Sequence, residues 1–195
     1  MRLPRLLVLT DRSQCAASLT AVVATAVDAG ARAVVLREKD LPDTDRQRLA
    51  DELRGILGPV DGILVVAGLL ADQPSRPTHL SASDPFPPVR PTLVGRSCHD
   101  SDELDRATSE GCDYVTISPV FTTPSKPGYG PALGPTGLPT LTSGGLPAYG
   151  LGGVRPADVR SCLDAGAHGI AVMGPVMREP RITADYVAAL QEVVA

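Results

Sequence analysis

The chain has 195 residues, a length that suits one domain of ordinary size. Hydrophobic residues make up 43% and charged residues 21%, a balance that supports a sizeable core and excludes a disordered chain. The net charge is −4 without any lysine- or arginine-rich run, and aromatic residues amount to only 3%. The sequence therefore shows no sign of a surface that binds nucleic acid or an anionic membrane. We expect one domain over residues 1–195.

The cysteines form neither a metal motif nor a disulfide pattern. No CxxC pair occurs among Cys15, Cys98, Cys112 and Cys162, and their spacing matches no zinc site. Buried free thiols are expected, which fits a reducing cytoplasm. The apolar part of the N-terminus is too short for a signal-peptide core, and no run is long enough to span a membrane. The sequence therefore predicts a cytoplasmic protein.

Short apolar runs alternate with segments of helical period along the chain. The predicted strands are Leu6–Leu9, Ala33–Leu36, Ile63–Val66, Thr92–Val94, Tyr114–Ile117 and Ile170–Met173, with weaker ones at His79–Leu80 and Leu146–Leu151. The predicted helices are Ser18–Ala29, Thr44–Leu57 with Thr44 as N-cap, Ser101–Ser109, Pro156–Ala165 and Ile182–Val194. Residues 69–91 are rich in Pro, Ser and Asp, so their helices are predicted to be abbreviated or absent. Residues 124–139 read as a Gly/Pro-rich loop.

One short phrase occurs three times directly before a predicted strand. The copies are Asp28-Ala29-Gly30-Ala31, Ser109-Glu110-Gly111-Cys112 and Asp164-Ala165-Gly166-Ala167. In each, a helix ends, glycine takes the left-handed cap position and a small residue leads into the strand. Repeated joints of this kind imply βα units and a parallel sheet. Eight strands then predict a single (β/α)₈ barrel. A doubly wound open sheet is the alternative, but no GxGxxG follows the first strand.

Glycines follow the last two predicted strands. Gly152 and Gly153 come after the seventh strand, and Gly174 comes after the eighth. Glycines let backbone N–H groups approach an anion closely, and these two loops form the usual phosphate site of such a barrel. The other interpretation is that they only make tight turns. We favour phosphate binding.

Charged residues follow the second and fourth predicted strands, whose ends open into the mouth of a barrel. Arg37 can bind phosphate bidentately and Lys39 adds a point charge, although Arg37-Glu38-Lys39 also suits a solvated loop. Asp84 could hold a divalent cation, but a single carboxylate is weak support for Mg²⁺.

Hydroxyls and histidines mark the remaining strand ends. The segment Ser118–Lys126 suits hydrogen bonding to a polar or phosphorylated ligand. Ser97 and His99 would point the same way if the fifth strand continues. They could form a nucleophile–base pair, a role that we rank below a structural or binding one. His168 lies in an αβ joint, where a structural role is expected.

These motifs, taken in order, resemble a known superfamily. They are Thr10-Asp11, Arg37-Glu38-Lys39, His79 with Asp84, Gly95–His99, Ser118–Phe121 with Lys126, Gly152-Gly153 and Val172-Met173. Over nearly the whole chain they resemble the thiamin phosphate synthase/TenI superfamily. The resemblance implies a (β/α)₈ barrel that joins hydroxymethylpyrimidine diphosphate to thiazole phosphate, with Mg²⁺ on the diphosphate. Diphosphate leaves, a pyrimidine carbocation forms and the thiazole nitrogen traps it.

The resemblance also implies a role for each matching position. Arg37 and Lys39 would hold the pyrimidine diphosphate, Ser97 would contact it and Asp84 would bind Mg²⁺. The resemblance places Thr123, Ser125, Lys126 and Gly152 at the substrate phosphates, and the glycine loops described above add Gly153 and Gly174, although the superfamily has Ser at the last of these positions. The catalytic candidates among these residues are Lys39, Ser97 and Lys126. The partners implied are small phosphorylated substrates, and a homo-oligomer is compatible with the resemblance.

Several positions depart from the superfamily pattern. Its Gln before Arg-Glu-Lys is Leu36 here, and its Asn-Asp pair after the third strand falls on Ala67-Gly68, which leaves Asp84 as the one Mg²⁺ carboxylate. The alternative is a TenI-like non-synthase, either a thiazole tautomerase or a regulator that binds thiazole or thiamin phosphate. The histidine that the tautomerases use after strand six falls on Pro119. We favour the synthase.

Overall fold

The computed structural model of the protein describes residues 3–69, 75–122 and 132–192. The strands are β1 (Leu6–Leu9), β2 (Ala33–Leu36), β3 (Ile63–Ala67), β4 (Thr78–Leu80), β5 (Val94–Cys98), β6 (Tyr114–Ile117), β7 (Ala148–Leu151) and β8 (Gly169–Val172). The helices are α1 (Leu19–Asp28), α2 (Asp43–Leu57), α3 (Ser101–Ser109), α4 (Gly134–Thr142), α5 (Val159–Asp164), α6 (Gly174–Arg178) and α7 (Thr183–Glu192).

The eight strands form a closed parallel barrel in chain order. β1 closes it because Val8 lies opposite Val34 of β2 on one side and Val172 of β8 on the other. Each connection therefore returns the chain to the same end of the sheet, as repeated βα units require. The closed barrel confirms the predicted (β/α)₈ fold and rules out the open sheet.

The three repeated phrases have the predicted helix-to-strand geometry. Gly30, Gly111 and Gly166 have φ values of +108°, +74° and +88°, in the region that favours glycine. At the first joint the Ala31 N–H donates to the Ala26 carbonyl at 2.9 Å, a bond that satisfies the end of α1. The chain thus passes from helix to strand within a few residues, and the strands can follow one another around the barrel.

Strand side chains alternate between the helix layer and the barrel interior. On β2, Val34 and Leu36 pack beneath the helices, whereas Ala33 and Val35 face inward. Because both faces are covered, the strands are almost wholly apolar, which is the reason that they appear as short continuous runs in the sequence.

Two of the few aromatic residues fill the amino-terminal part of the barrel interior. The rings of Tyr114 and Tyr149 meet edge to face with centroids 5.6 Å apart. The Tyr149 hydroxyl donates to the Pro4 carbonyl at 2.6 Å. His168 packs against Tyr149, and its Nε2 lies 3.2 Å from the Leu3 carbonyl. This end of the barrel is therefore closed by packing, and the position of His168 agrees with its predicted structural role.

The structure corrects the prediction at the fifth strand. That strand was expected at Thr92–Val94, but β5 runs over Val94–Cys98 and includes Arg96 and Ser97. Arg96 is fully buried, yet its guanidinium has partners in the loop after β4 and in Glu110. Arg96 can therefore lie within β5, because hydrogen-bond partners outside the barrel interior satisfy its charge.

The sequence predictions missed two helices and misplaced the start of a third. α4 covers Gly134–Thr142, where a loop was expected up to residue 139. Burial of Leu138 and Leu141 favours this helix despite the prolines. The five-residue α6 was also missed, and α2 begins at Asp43 rather than being capped by Thr44. Local propensity predicts such short or proline-rich helices poorly, because their stability comes from packing.

The shortened region after β3 and β4 agrees with the prediction. The described chain contains no helix between residues 75 and 93. Arg76 is buried there, and its Nη2 donates to Oε1 of Gln47 on α2 at 2.8 Å. This polar contact to α2 thus holds part of the segment in place.

The cysteines are free thiols, as predicted. Cys98, Cys112 and Cys162 are buried, and Cys15 is half-buried. Within the described ranges, none of the helices combines the length and apolar character needed to cross a bilayer.

We expect Gly95→Ala to destabilise the barrel strongly. A Cβ at this position would lie 2.1 Å from the Tyr114 ring, and a buried ring cannot retreat from it. The expected loss is about 3 kcal/mol of unfolding free energy, measured by urea denaturation. Gly55→Ala is the matched control. Nothing lies within 4 Å of a Cβ there, and alanine should stabilise α2 by about 0.5–1 kcal/mol. Equal effects of the two substitutions would contradict this account.

Candidate active site at the strand ends

A cavity of about 1360 Å³ opens at the carboxyl ends of the strands. All eight strands contribute to it. One lining residue within or directly after each strand, in chain order, is Leu9, Arg37, Ala67, His79, Ser97, Ser118, Gly152 and Met173. The strand-end residues singled out in the sequence therefore converge on one space, at the face where barrels of this type carry their sites.

The Arg37-Glu38-Lys39 segment divides its side chains between the cavity and the protein interior. Arg37 and Lys39 line the cavity. Glu38 is only 2% exposed and accepts hydrogen bonds from the Thr10 hydroxyl at 2.7 Å and the Arg12 N–H at 3.1 Å. Thr10 in turn accepts from the Arg37 N–H at 2.9 Å. Glu38 thus ties the β1 and β2 loops together, and this fixes the backbone that presents the two cations.

Asp84 lies beside one of those cations. Its Oδ2 accepts from the Ser81 N–H at 2.8 Å and from Lys39 Nζ at 3.2 Å. Partial burial raises the pKa of Asp84, but the bonds from Ser81 and Lys39 outweigh it and hold the pKa below its usual value. The carboxylate is therefore ionised at neutral pH.

Two arginines order the loop that carries Asp84. Arg96 on β5 donates through Nη1 to the carbonyls of Ser81 and Asp84, each at 2.9 Å. Arg106 on α3 donates to the Asp84 carbonyl at 3.1 Å, and Glu110 binds both guanidinium groups. These contacts take the place of the missing helix and hold the Asp84 loop at the edge of the cavity.

The described residues fit Mg²⁺ only as an ion that arrives with a phosphorylated substrate. The part of the chain that the structure describes contains no group of three His, Cys, Asp or Glu side chains able to hold a metal. The Asp84 side chain is 30% exposed, so its carboxylate can reach an ion carried on a substrate. Mg²⁺ commonly uses one or two carboxylates and takes its other ligands from water and substrate phosphate.

A buried hydrogen-bonded group lies next to Ser97 in the barrel. Ser97 Oγ is 3.0 Å from His79 Nε2, and His79 Nδ1 is 3.1 Å from the Tyr114 hydroxyl. Burial and the nearby charge of Lys39 lower the pKa of His79 to about 3, so the imidazole is neutral. The sequence alone did not assign a role to Tyr114, because a tyrosine at a strand start is indistinguishable from an ordinary core residue.

The suggested pairing of Ser97 with His99 is wrong. The partner of Ser97 is His79, from the neighbouring strand β4. The backbone N–H of His99 donates to Glu103 Oε2 at 2.7 Å, and His99 Nδ1 lies 2.8 Å from the same oxygen. His99 lies beyond the end of β5, where it contacts Glu103 in the first turn of α3.

The glycine loop after β7 is shaped by backbone conformation and by close packing. Gly152 and Gly153 have φ values of +97° and +66°. A Cβ on Gly153 would lie 2.5 Å from the Thr122 carbonyl. The Gly152 carbonyl accepts from the Phe121 N–H at 2.9 Å, so this loop is pinned to the loop after β6. Both glycines line the cavity, and their N–H groups donate to no acceptor among the described residues.

Gly174 begins α6 and lines the same cavity. A Cβ there would lie 2.8 Å from Gln14 Oε1 and from Arg178 Nη1. These two atoms form a hydrogen bond of 2.7 Å. Arg178 itself lines the cavity, and sequence reasoning missed it because it lies in the short helix that was not predicted.

The positions that depart from the superfamily pattern differ in whether they lie at the cavity. Leu36 packs in the helix-facing core and does not line the cavity, whereas its neighbour Val35 does. Ala67 does line the cavity, and a Cβ on Gly68 would lie 3.7 Å from Lys39 Cε. The predicted phosphate contacts at Thr123, Ser125 and Lys126 lie outside the described residues.

Fold and cavity together define a (β/α)₈-barrel protein with a polar site at the carboxyl ends of its strands. The family model for thiamine monophosphate synthase matches residues 6–176. A thiamine-phosphate synthase from Roseiflexus castenholzii is 33% identical over 188 residues, covering 89% of this chain and 81% of that protein. One from Methanoculleus marisnigri is 34% identical over 169 residues, with 80% and 78% covered.

A solved structure supports the same fold. The thiamine phosphate pyrophosphorylase from Pyrococcus furiosus has a TM-score of 0.83 and 24% identity, with 98% of this chain and 97% of that chain covered. The chain therefore belongs to the thiamine monophosphate synthase family. The relatives compared here bear synthase names, and the non-synthase alternative is not favoured.

We expect Glu38→Gln to loosen the cavity rim. The amide oxygen can still accept from the Thr10 hydroxyl and the Arg12 N–H, but an NH₂ group would replace Oε2, which accepts from Arg12 Nη1 at 2.9 Å, so two donors would face each other and the unfolding free energy should fall by about 1–3 kcal/mol. Asp40→Asn is the matched control, because Asp40 also binds Arg12 but is 66% exposed. Its effect should stay within about 0.5 kcal/mol. Urea unfolding of both variants tests this, and a larger loss at Asp40 would contradict it.

Proposed function

We propose that this protein joins hydroxymethylpyrimidine diphosphate to thiazole phosphate, forming thiamin phosphate and releasing diphosphate. The observation that carries the proposal is the convergence of Arg37, Lys39 and Ser97 with Gly152 and Gly153 in one strand-end cavity. This gives one cavity both a cationic, hydroxyl-bearing part and a backbone-lined part. Family membership identifies the two phosphorylated substrates that suit them.

The cationic part suits the leaving diphosphate. When the carbon–oxygen bond of the pyrimidine substrate breaks, negative charge develops on the departing diphosphate. Arg37 and Lys39 would stabilise that charge, and Ser97 would add a hydrogen bond. The buried Glu38 bonds hold the backbone of the two cations before substrate binds, so less reorganisation is needed at the moment of reaction.

The glycine loops suit the phosphate of the thiazole substrate. The N–H groups of Gly152 and Gly153 lack acceptors among the described residues and border the cavity, as does Gly174 at the start of α6. Backbone donors of this kind bind phosphate oxygens without a side chain. Anchoring this substrate would hold its ring nitrogen near the pyrimidine carbocation, which makes trapping effectively unimolecular. Thr123, Ser125 and Lys126 remain predicted contacts to the phosphates.

Mg²⁺ is part of this proposal as an ion carried on the diphosphate. Asp84 would be its carboxylate ligand, with substrate oxygens and water supplying the others. Bound there, the ion would offset charge on the leaving group. Lys39 is the partner of Asp84 in the present structure, so the proposal requires Lys39 and the ion to share one small region without displacing each other from the diphosphate.

We expect Lys39→Ala to lower kcat/KM for thiamin phosphate formation by about 100-fold, because it removes a charge that stabilises the leaving group. The assay supplies both substrates and Mg²⁺ and measures the product by chromatography. Arg48→Ala is the control, since Arg48 is an exposed cation of α2 outside the cavity, and its rate should be unchanged. No product from the unsubstituted protein at high enzyme concentration would refute the proposed activity.

We expect Mg²⁺ to strengthen binding of inorganic diphosphate, and Asp84→Asn to abolish that strengthening. The amide keeps the size of the carboxylate but lacks the charge that Mg²⁺ prefers. Calorimetric titration with and without Mg²⁺ measures both effects. Asp61→Asn serves as control, since Asp61 is exposed outside the cavity and asparagine tolerates its φ of +51°. Equal Mg²⁺ effects in Asp84→Asn and the unsubstituted protein would exclude Asp84 as the ligand.

A further inference from the structure

We propose that Tyr114 is a positioning residue that fixes the tautomer of His79 and thereby makes Ser97 a hydrogen-bond donor to the cavity. Tyr114 itself does not line the cavity and acts through two intervening side chains. The inference rests on the proposed function in one respect, which is that diphosphate is the acceptor that Ser97 serves. The direction of the hydrogen bonds follows from the protein alone.

The direction of these hydrogen bonds is determined first at the Tyr114 hydroxyl. Tyr114 is completely buried, and its only hydrogen-bond partner among the described residues is His79 Nδ1 at 3.1 Å. Burial raises the pKa of Tyr114, so the phenol keeps its proton. A buried O–H without an acceptor is costly, whereas an oxygen with an unused lone pair costs less. Tyr114 therefore donates to Nδ1.

The bond from Tyr114 in turn determines which nitrogen of the His79 ring carries the proton. Neutral His79 carries one ring proton, and Nδ1 is occupied as an acceptor, so the proton is on Nε2. Nε2 lies 3.0 Å from Ser97 Oγ and donates to it. The opposite tautomer would direct the Ser97 proton into the ring and leave the Tyr114 proton buried without an acceptor.

The hydrogen bonds end at the cavity. Thr116 is also fully buried, and its hydroxyl lies 3.4 Å from Ser97 Oγ and 3.5 Å from His79 Nε2. Because Nε2 carries the ring proton, Ser97 Oγ is the acceptor for Thr116. Ser97 thus accepts from inside the barrel and has no internal acceptor for its own proton among the described residues. It is half-buried and borders the cavity. Its O–H is therefore directed to whatever occupies the cavity, and a donor at this point suits an anionic oxygen.

Nitrogen-15 NMR of the imidazole groups tests the tautomer directly. The protein has three histidines, and His99→Gln and His168→Gln assign the signals by removing one each. We expect the Nε2–H tautomer at His79 in the unsubstituted protein. In Tyr114→Phe the Nδ1 lone pair loses its donor, so the Nδ1 signal should move downfield toward that of an imidazole nitrogen without a hydrogen bond. Tyr149→Phe is the matched control, because this buried tyrosine packs on Tyr114 but donates to Pro4 instead. It should leave the His79 signals unchanged.

Calorimetry with inorganic diphosphate tests the consequence for binding. We expect about tenfold weaker binding in Ser97→Ala, the size expected for one hydrogen bond to a charged group. Tyr114→Phe should lose a smaller, measurable part of that affinity, and Tyr149→Phe none. Because Tyr114 acts only through Ser97, the double variant should bind no more weakly than Ser97→Ala alone.

The outcomes separate this inference from the proposed function. An Nδ1–H tautomer in the unsubstituted protein would overturn the inference without any variant, which keeps it testable if Tyr114→Phe folds poorly. Unchanged His79 signals in a folded Tyr114→Phe would overturn it too. The expected change in the Nδ1 signal together with full diphosphate affinity in Ser97→Ala would refute the use of Ser97 for diphosphate in the proposed function. It would leave the control of His79 by Tyr114 standing.

Discussion

The site depends on the pairing of β1 with β8, which closes the parallel sheet. Val8 lies opposite both Val34 and Val172, so the first and last strands become neighbours. In an open sheet the glycine loops after β7 and β8 would lie far from Arg37 on β2. Closure brings eight carboxyl ends around one cavity, so residues separated by well over a hundred positions line the same space.

Charge buried behind the rim holds the cavity in shape. Glu38 joins the first two loops from below, and Arg96 holds the loop after β4 through its carbonyls. Neither side chain lines the cavity. Both are expensive to bury and are retained with nearly full sets of partners, which is the condition for keeping charge in an interior. Lys39 can then face the cavity, with Asp84 beside it at the edge, on a backbone that is already in place.

Much of the site could be predicted from the sequence, because strand ends are marked by local patterns. An apolar run followed by Arg37 or by Gly152 identifies both the strand and the residue that leaves it, and the barrel brings such residues together. Arg178 and the pairing of Ser97 could not be predicted in this way. Arg178 belongs to a five-residue helix stabilised by packing, and β5 continues through a buried arginine that resembles a strand end.

The sequence by itself determined the repeating βα units, the glycine-capped joints and the membership in a synthase family. The first two depend on residues close together in the chain, and the third depends on the order of short motifs along it. Only the tertiary structure decided that His79 meets Ser97 and Tyr114. These residues come from three consecutive strands, and the parallel register that places Gly95 opposite both His79 and Tyr114 leaves room for the rings. Which atom donates in that group depends on burial, and burial is a property of the whole closed barrel.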